Sequence, residues 1–202
     1  MKFIVGIDEV GRGALAGPVA VAVVLTTQKL KIRNKKLGKL ADSKKLSAKQ
    51  REKWFGYLKF HPLLKFELAR VFPKTIDKIN ISRAANLAAK RAFERLCAKN
   101  RINPERCAVY LDGGLYLGNG KRPDFAKTVV RGDMKIKTVA MASILAKVTR
   151  DRIIEKLAKG FPRYGFEINK GYGTSNHIAA IKKNGPSKVH RKSFDPIKSA
   201  RV

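Results

Sequence analysis

Two adjacent carboxylates, Asp8 and Glu9, directly follow an apolar run, Phe3 to Ile7, in a chain where acids are scarce: 15 Asp plus Glu against 45 Lys plus Arg. Ionised groups delivered to the end of a buried strand are costly unless a positive partner meets them. Two further acids repeat the arrangement. Asp112 closes the apolar segment Cys107 to Leu111 and precedes Gly113-Gly114, and Asp133 follows the segment Ala126 to Val130, within Arg131-Gly132-Asp133. Four acids gathered at one edge would repel one another without cations. Oxygen-only ligands suit Mg²⁺ or Mn²⁺ rather than zinc. Two such ions, roughly 3.5–4 Å apart, support in-line phosphoryl transfer, one orienting a water nucleophile and the other stabilising the leaving oxygen. Competing centres are weak. His61, His177 and His190 are scattered without metal-ligand spacing, and Cys97 and Cys107 form neither a zinc pattern nor a disulfide framework. The local alternative is that Asp8 caps a turn and Glu9 is simply solvated.

The elements that must position these acids can be read from periodicity. Apolar, β-branched runs bounded by glycines read as buried strands. Phe3 to Ile7 and Val19 to Leu25, joined by a Gly-rich segment, read as a hairpin-like pair. Ser47 is a fair N-cap for a helix over AKQREKWFGYL. Leu64 to Val71 alternates apolar and charged residues, which suits a sheet-edge strand with one wet face. Thr75 to Asn100 reads as one long helix, with Ala85, Ala88, Ala89, Ala92, Phe93 and Leu96 as its core stripe. Short strands over Cys107 to Leu111 and Ala126 to Val130 follow. A second long helix spans Ile136 to Lys159, its polar side decorated by Lys147, Arg150 and Arg152, and Gly160 and Pro162 end it. A short helix over Ser175 to Lys183 leads to a basic, turn-rich and frayed tail. The fold class is therefore α/β, a mixed sheet flanked by helices, with the acids at the C-terminal strand ends where sites assemble. One geometric condition applies. Adjacent residues on a regular strand point to opposite faces, so Asp8 and Glu9 share a site only if their strand bends or ends there.

Composition bounds the partner. The formal net charge is +30, spread along all 202 residues, and points to a phosphate-rich partner; the alternative is a charge that serves solubility. A hydrophobic content of 44% suffices for one core, so the expectation is a single domain, 1–202, with a small basic helical and turn segment from about residue 161. The N-terminus lacks a signal peptide and no segment has membrane-spanning length, which gives a cytoplasmic expectation. Lys44 and Lys45, beside Ser43 and Ser47, either grip phosphates or begin a solvated helix. Glycines on both sides of Arg12 would let the backbone of Gly11-Arg12-Gly13 approach a ligand closely.

The strings GIDEVGRG, ADSKKLS, YLDGG, VVRGDMKIKTVAMASILAKVTRDR, NKGYGT and HRKSF cover nearly the whole chain and resemble, in order, the signature of the ribonuclease HII family, type 2 ribonuclease H. The resemblance implies a ribonuclease-H-like fold with a five-stranded mixed sheet. It also implies Mg²⁺- or Mn²⁺-dependent cleavage of the RNA strand of RNA/DNA hybrids, and cleavage 5′ of single ribonucleotides embedded in duplex DNA. The ends left would be 3′-hydroxyl and 5′-phosphate, and the task would be removal of misincorporated ribonucleotides and RNA primers. By the same resemblance Asp8, Glu9, Asp112 and Asp133 are the metal-binding and catalytic acids. Gly11, Arg12 and Gly13 form the ribonucleotide-reading loop, Tyr172 contacts the sugar beside the ribonucleotide, and DSKKLS, with Lys44 and Lys45, lies near substrate. Ala14 and Met134 depart from the residues common in the family at those positions. The chain starts almost at the first strand, without the extra N-terminal domain of the related ribonuclease HIII, which favours HII and a monomer. Two other classes fit the composition: a different metal nuclease or strand-transfer enzyme of the same superfold, which a strict need for a 2′-hydroxyl would exclude, and a basic binding protein that holds hybrids without cutting them.

Overall fold

The apolar runs fold as strands, and their alternation sorts the core into two layers. The computed structural model describes residues 2–27, 37, 40, 46–117 and 123–199. β1 (Phe3–Val10) and β2 (Val19–Thr27) pair antiparallel, with Ile7 opposite Val23. β3 (Lys65–Val71) pairs antiparallel with β2, β4 (Cys107–Asp112) runs parallel to β1, and β5 (Ala126–Val129) runs parallel to β4. The resulting five-stranded mixed sheet has the order β3-β2-β1-β4-β5, with β3 at an edge as its wet face foretold.

The helices are α1 (Ala48–Phe60), α2 (Pro73–Ile79), α3 (Ile81–Asn100), α4 (Gly132–Lys135), α5 (Lys137–Gly160), α6 (Phe166–Asn169) and α7 (Ser175–Asn184). Val5, Ile7, Val21 and Val23 share one core with the alanine stripe of α3, while Ala22 and Val24 on the other sheet face share a core with Trp54 and Leu58 of α1 and Ile144 and Val148 of α5. Gly6 is where α5 lies tightest on the sheet: a Cβ there would fall 2.2 Å from the Thr138 carbonyl carbon. Ser47 caps α1 in a capping box with Gln50.

Two expectations are corrected. The helix read over Thr75 to Asn100 is two helices, divided at Asn80, whose φ is 66° and whose side chain accepts the Arg83 N–H at 3.0 Å. Asparagine tolerates positive φ, and its side chain caps a new helix, so the chain restarts there. The frayed tail is tied down as far as Ser199. Asp77 of α2 accepts the N–H groups of Lys192 and Ser193 at 3.0 and 2.9 Å, and Arg191 and Ile197 are buried. No helix among the described residues is long and apolar enough to cross a membrane.

Candidate active site

Asp8 and Glu9 of β1 and Asp112 at the end of β4 each bring a carboxylate oxygen within 4.8 Å of the others. The strand does not end to allow this. β1 stays paired with β2 through Val10 opposite Ala20, but its pairing with β4 stops at Ile7 opposite Leu111. Beyond Ile7, β1 has a free edge on the β4 side, and side chains leaving opposite faces meet around it. Asp8 lies on the α5 face, 4% exposed, where it accepts the Glu9 N–H at 2.7 Å and a hydrogen bond from Ser143 of α5. Burial, and then the charges of Glu9 and Asp112, push the Asp8 carboxyl well above the usual carboxylate range. Burial also raises Glu9, against the opposing pull of Arg12. One oxygen of Glu9, Oε2, is buried without a hydrogen-bond partner.

Asp133 arrives by a different route from the strand end expected of it. β5 stops at Val129, Arg131 takes a left-handed φ of 55°, and Asp133 sits on the single turn of α4. The Gly132 N–H donates to Asp112 Oδ1 at 2.6 Å and so ties that turn to the acid cluster. Asp133 is buried and lines the same cavity, about 340 Å³, as Asp8, Glu9 and Asp112, together with Arg51, Ser143, Lys147 and Tyr172. Its carboxylate is not among those within 4.8 Å of one another.

The two glycines beside Arg12 differ. Gly11 has φ +87°, and a Cβ there would fall 2.1 Å from Arg150 Nε, so packing inside the chain already requires glycine at this position. Gly13 has no atom within 4 Å of where its Cβ would stand. Arg12 folds back on the acids. Its Nη1 lies 3.6 Å from Glu9 Oε1, and its Nη2 donates to Ser82 Oγ at 3.2 Å.

The family model described as Ribonuclease HII matches residues 5–197. The chain belongs to the ribonuclease HII family. It is 42% identical to the ribonuclease HII of Pelagibacter ubique over 98% of both chains, and 43% identical to that of Coxiella burnetii over 98% of this chain and 91% of the relative. Among solved structures it is similar to the ribonuclease H2 of Pyrococcus horikoshii, with a TM-score of 0.71 and 27% identity over 98% of this chain and 96% of that one.

On this ribonuclease HII frame, Asp8, Glu9, Asp112, Asp133 and Tyr172 border one cavity, and Gly11, Arg12 and Gly13 continue directly from β1. Lys44 and Lys45 lie outside the described residues. Several residues escaped sequence reasoning. The sequence places Arg150 on the polar side of its helix, yet it is fully buried. Its spacing was the missed signal: it stands four residues from both Ala146 and Ile154, which are buried. The scattered histidines also meet. His177 Nδ1 donates to the Tyr172 carbonyl at 2.8 Å, which leaves its Nε2 to accept from His190 Nε2–H at 3.1 Å. His190 Nδ1 then accepts from the Ser187 N–H at 2.9 Å and hydroxyl at 2.8 Å. Both rings are therefore neutral in fixed tautomers, and burial lowers both pKa values, His190 to about 4. Arg191, buried on the same side, donates to the carbonyls of Gly17 and Arg12 at 3.1 and 2.8 Å.

Proposed function

We propose that this chain is a divalent-metal-dependent endoribonuclease. It cuts the RNA strand of RNA/DNA hybrids and cuts 5′ of single ribonucleotides embedded in duplex DNA, leaving 3′-hydroxyl and 5′-phosphate ends. The observation that carries this reading is the trio Asp8, Glu9 and Asp112, mutually close, with Asp8 and Glu9 desolvated and a Glu9 oxygen left unpartnered. A buried acceptor without a donor costs about 1–3 kcal/mol, more when charged. An all-oxygen donor set of this charge fits Mg²⁺ or Mn²⁺. Asp8, Glu9 and Asp112 would hold such ions, with Asp133 beside them on the cavity wall. When bound, the ions would activate the attacking water and stabilise the leaving oxygen.

The chain's own residues supply positioning. Ser143 and the Glu9 amide fix the Asp8 carboxylate, and the Gly132 amide fixes Asp112. Lys147 and Arg51 line the cavity with positive charge for the phosphate being cut. Gly13, open to solvent on its Cα side, lets peptide groups of the loop reach the 2′-hydroxyl that separates RNA from DNA. Tyr172, on the cavity wall, offers its ring to the adjoining sugar. The test is cleavage of a DNA duplex carrying one ribonucleotide beside an all-DNA duplex of the same sequence, in Mg²⁺. A single cut 5′ of the ribonucleotide is expected. Equal cutting of both duplexes, or binding without cutting, would overturn the proposal.

A further inference from the structure

Arg150 is fully buried and its side chain touches both loops assigned to substrate recognition. Its Nε donates to the Pro18 carbonyl at 3.0 Å and its Nη2 to Ala16 at 3.2 Å, both in the loop that continues from Gly11. Its Nη1 donates to the Lys170 carbonyl at 3.0 Å, two residues before Tyr172. The guanidinium carbon lies over the Tyr172 ring, 5.1 Å from its centre, and Nε and Cδ fill the space beneath Gly11. Among the described residues no carboxylate stands within ion-pair distance of it. A buried cation without a carboxylate partner is a stability cost, offset here by the three carbonyls that would lose their donors if an apolar side chain took its place. What only a guanidinium offers is a rigid planar fork for several carbonyls and a flat charged face for a ring.

We propose that Arg150 is a positioning residue for substrate choice: it locks the Tyr172 ring and the loop from Gly11 to Pro18 into one rigid unit facing the acids. The proposal rests on the reading of Tyr172 and Gly11-Arg12-Gly13 given above. The two loops also bond directly, with the N–H groups of Leu15 and Ala16 donating to Gly171 O at 2.8 and 3.1 Å. Those bonds set the strand-like register of the loops. The ring of Tyr172 is held by Arg150, and so is the curvature of the Ala16–Pro18 segment.

The experiment is a double-mutant cycle of Arg150→Lys and Tyr172→Ala. Cleavage is measured in Mg²⁺ on a single-ribonucleotide DNA duplex and on a hybrid with a continuous RNA strand, with thermal melting as a check of folding. Lysine keeps the charge but not the fork or the flat face. In R150K the ratio of single-ribonucleotide to continuous-hybrid cleavage should fall roughly thirty-fold, the size of a desolvated cation–π contact of about 2 kcal/mol. Most of that fall should vanish when Tyr172 is already alanine, because residues that act through one another are not additive. Equal losses on both substrates, or a full additional loss in the double variant, would overturn the proposal. If R150K melts below the assay temperature, Tyr172→Phe and Tyr172→Leu decide with Arg150 intact. Phenylalanine keeps the face and should keep the ratio, leucine should lower it, and equal effects would overturn the idea. A wild-type chain that cuts neither substrate refutes the nuclease reading itself. Equal losses in Tyr172→Ala refute the role of Tyr172, and the proposal falls with either.

Discussion

Tyr172 stands between two buried polar clusters that solve the same problem in opposite ways. On one side Asp8, Glu9 and Asp112 crowd their carboxylates together, with burial and mutual repulsion raising Asp8 and a Glu9 oxygen left without a donor. On the other side Arg150, Arg191, His177 and His190 are more deeply buried than Glu9 or Asp112, yet nearly every donor meets a backbone carbonyl or another ring, one Arg191 nitrogen apart. A buried cluster that satisfies itself is scaffold. A buried cluster that cannot satisfy itself is waiting for something from outside the chain. Both lie at the same sheet end, so their energetic difference marks which one binds.

The hardest test of that contrast is to neutralise one acid. Asp112→Asn should lower cleavage by at least about a hundred-fold, the scale on which single preorganised electrostatic groups act, while the fold persists. Removing a repelling charge should leave the melting temperature unchanged or higher without divalent metal. Added Mg²⁺ should raise the melting temperature of the wild type by mass action and that of the variant much less. A folded variant that cuts at the wild-type rate would remove Asp112 from the site.

The next test exchanges two glycines, one on each side of the contrast. Gly11 belongs to the self-satisfied cluster, because its Cα sits on Arg150 and its φ is +87°. Gly11→Ala should destabilise by about 1–3 kcal/mol, the usual range for a strained backbone position. Gly13 faces open space, so Gly13→Ala should melt with the wild type yet lose about ten-fold or more on embedded ribonucleotides, because a methyl there keeps peptide groups from the hydrogen-bond distance of about 3 Å that a 2′-hydroxyl requires. Melting curves and cleavage of the single-ribonucleotide duplex read both variants. An early-melting Gly13→Ala that cuts normally when folded would make this loop a simple turn.

Much of this arrangement was legible in the sequence. Strand-forming runs that end in Asp8-Glu9 and Asp112 give the sheet and its acid edge, because β-branched periodicity and scarce charges are local signals. The alanine stripe of α3 was equally plain. Asn80 was not, since a helical pattern continues on both sides and only the backbone turn interrupts it. Asp133 was read near a strand end, and the single turn of α4 that carries it is too short for periodicity to register. The meeting of His177 with His190, and of Arg150 with a loop more than a hundred residues earlier and another twenty residues later, depends on how the C-terminal segment folds over the sheet end. No local pattern encodes such contacts, although the apolar spacing around Arg150 was a usable hint.

The smallest effect expected, and the one that sets the two clusters directly against each other, is the response to acid. His190 is held at about 4 by burial and by His177, below the 6.5 of an exposed histidine, and His177 is lowered in the same direction. Around the pair stand the carbonyl of Tyr172, the hydroxyl and amide of Ser187, and the rings of Tyr164 and Phe166, with no carboxylate bonded to either imidazole. Below pH 6.5 the unfolded chain takes up protons that the folded chain refuses. Stability from this cluster is therefore complete above about 6.5 and is lost as pH falls toward about 4, by roughly 3 kcal/mol for His190 at 1.36 kcal/mol per unit. The acids act with the opposite sign. Asp8 and Glu9 are raised by folding, so the folded chain takes up protons more readily than the unfolded one, and acidification stabilises it. In the wild type without metal the two responses partly cancel, leaving a shallow fall in melting temperature between pH 7 and pH 4.5. The double variant Asp8→Asn, Glu9→Gln should fall more steeply over that range, and His190→Phe less steeply or not at all. Parallel melting curves for all three proteins would mean that neither cluster is out of balance with water, and the distinction between an orphaned and a self-satisfied cluster would lose its energetic basis.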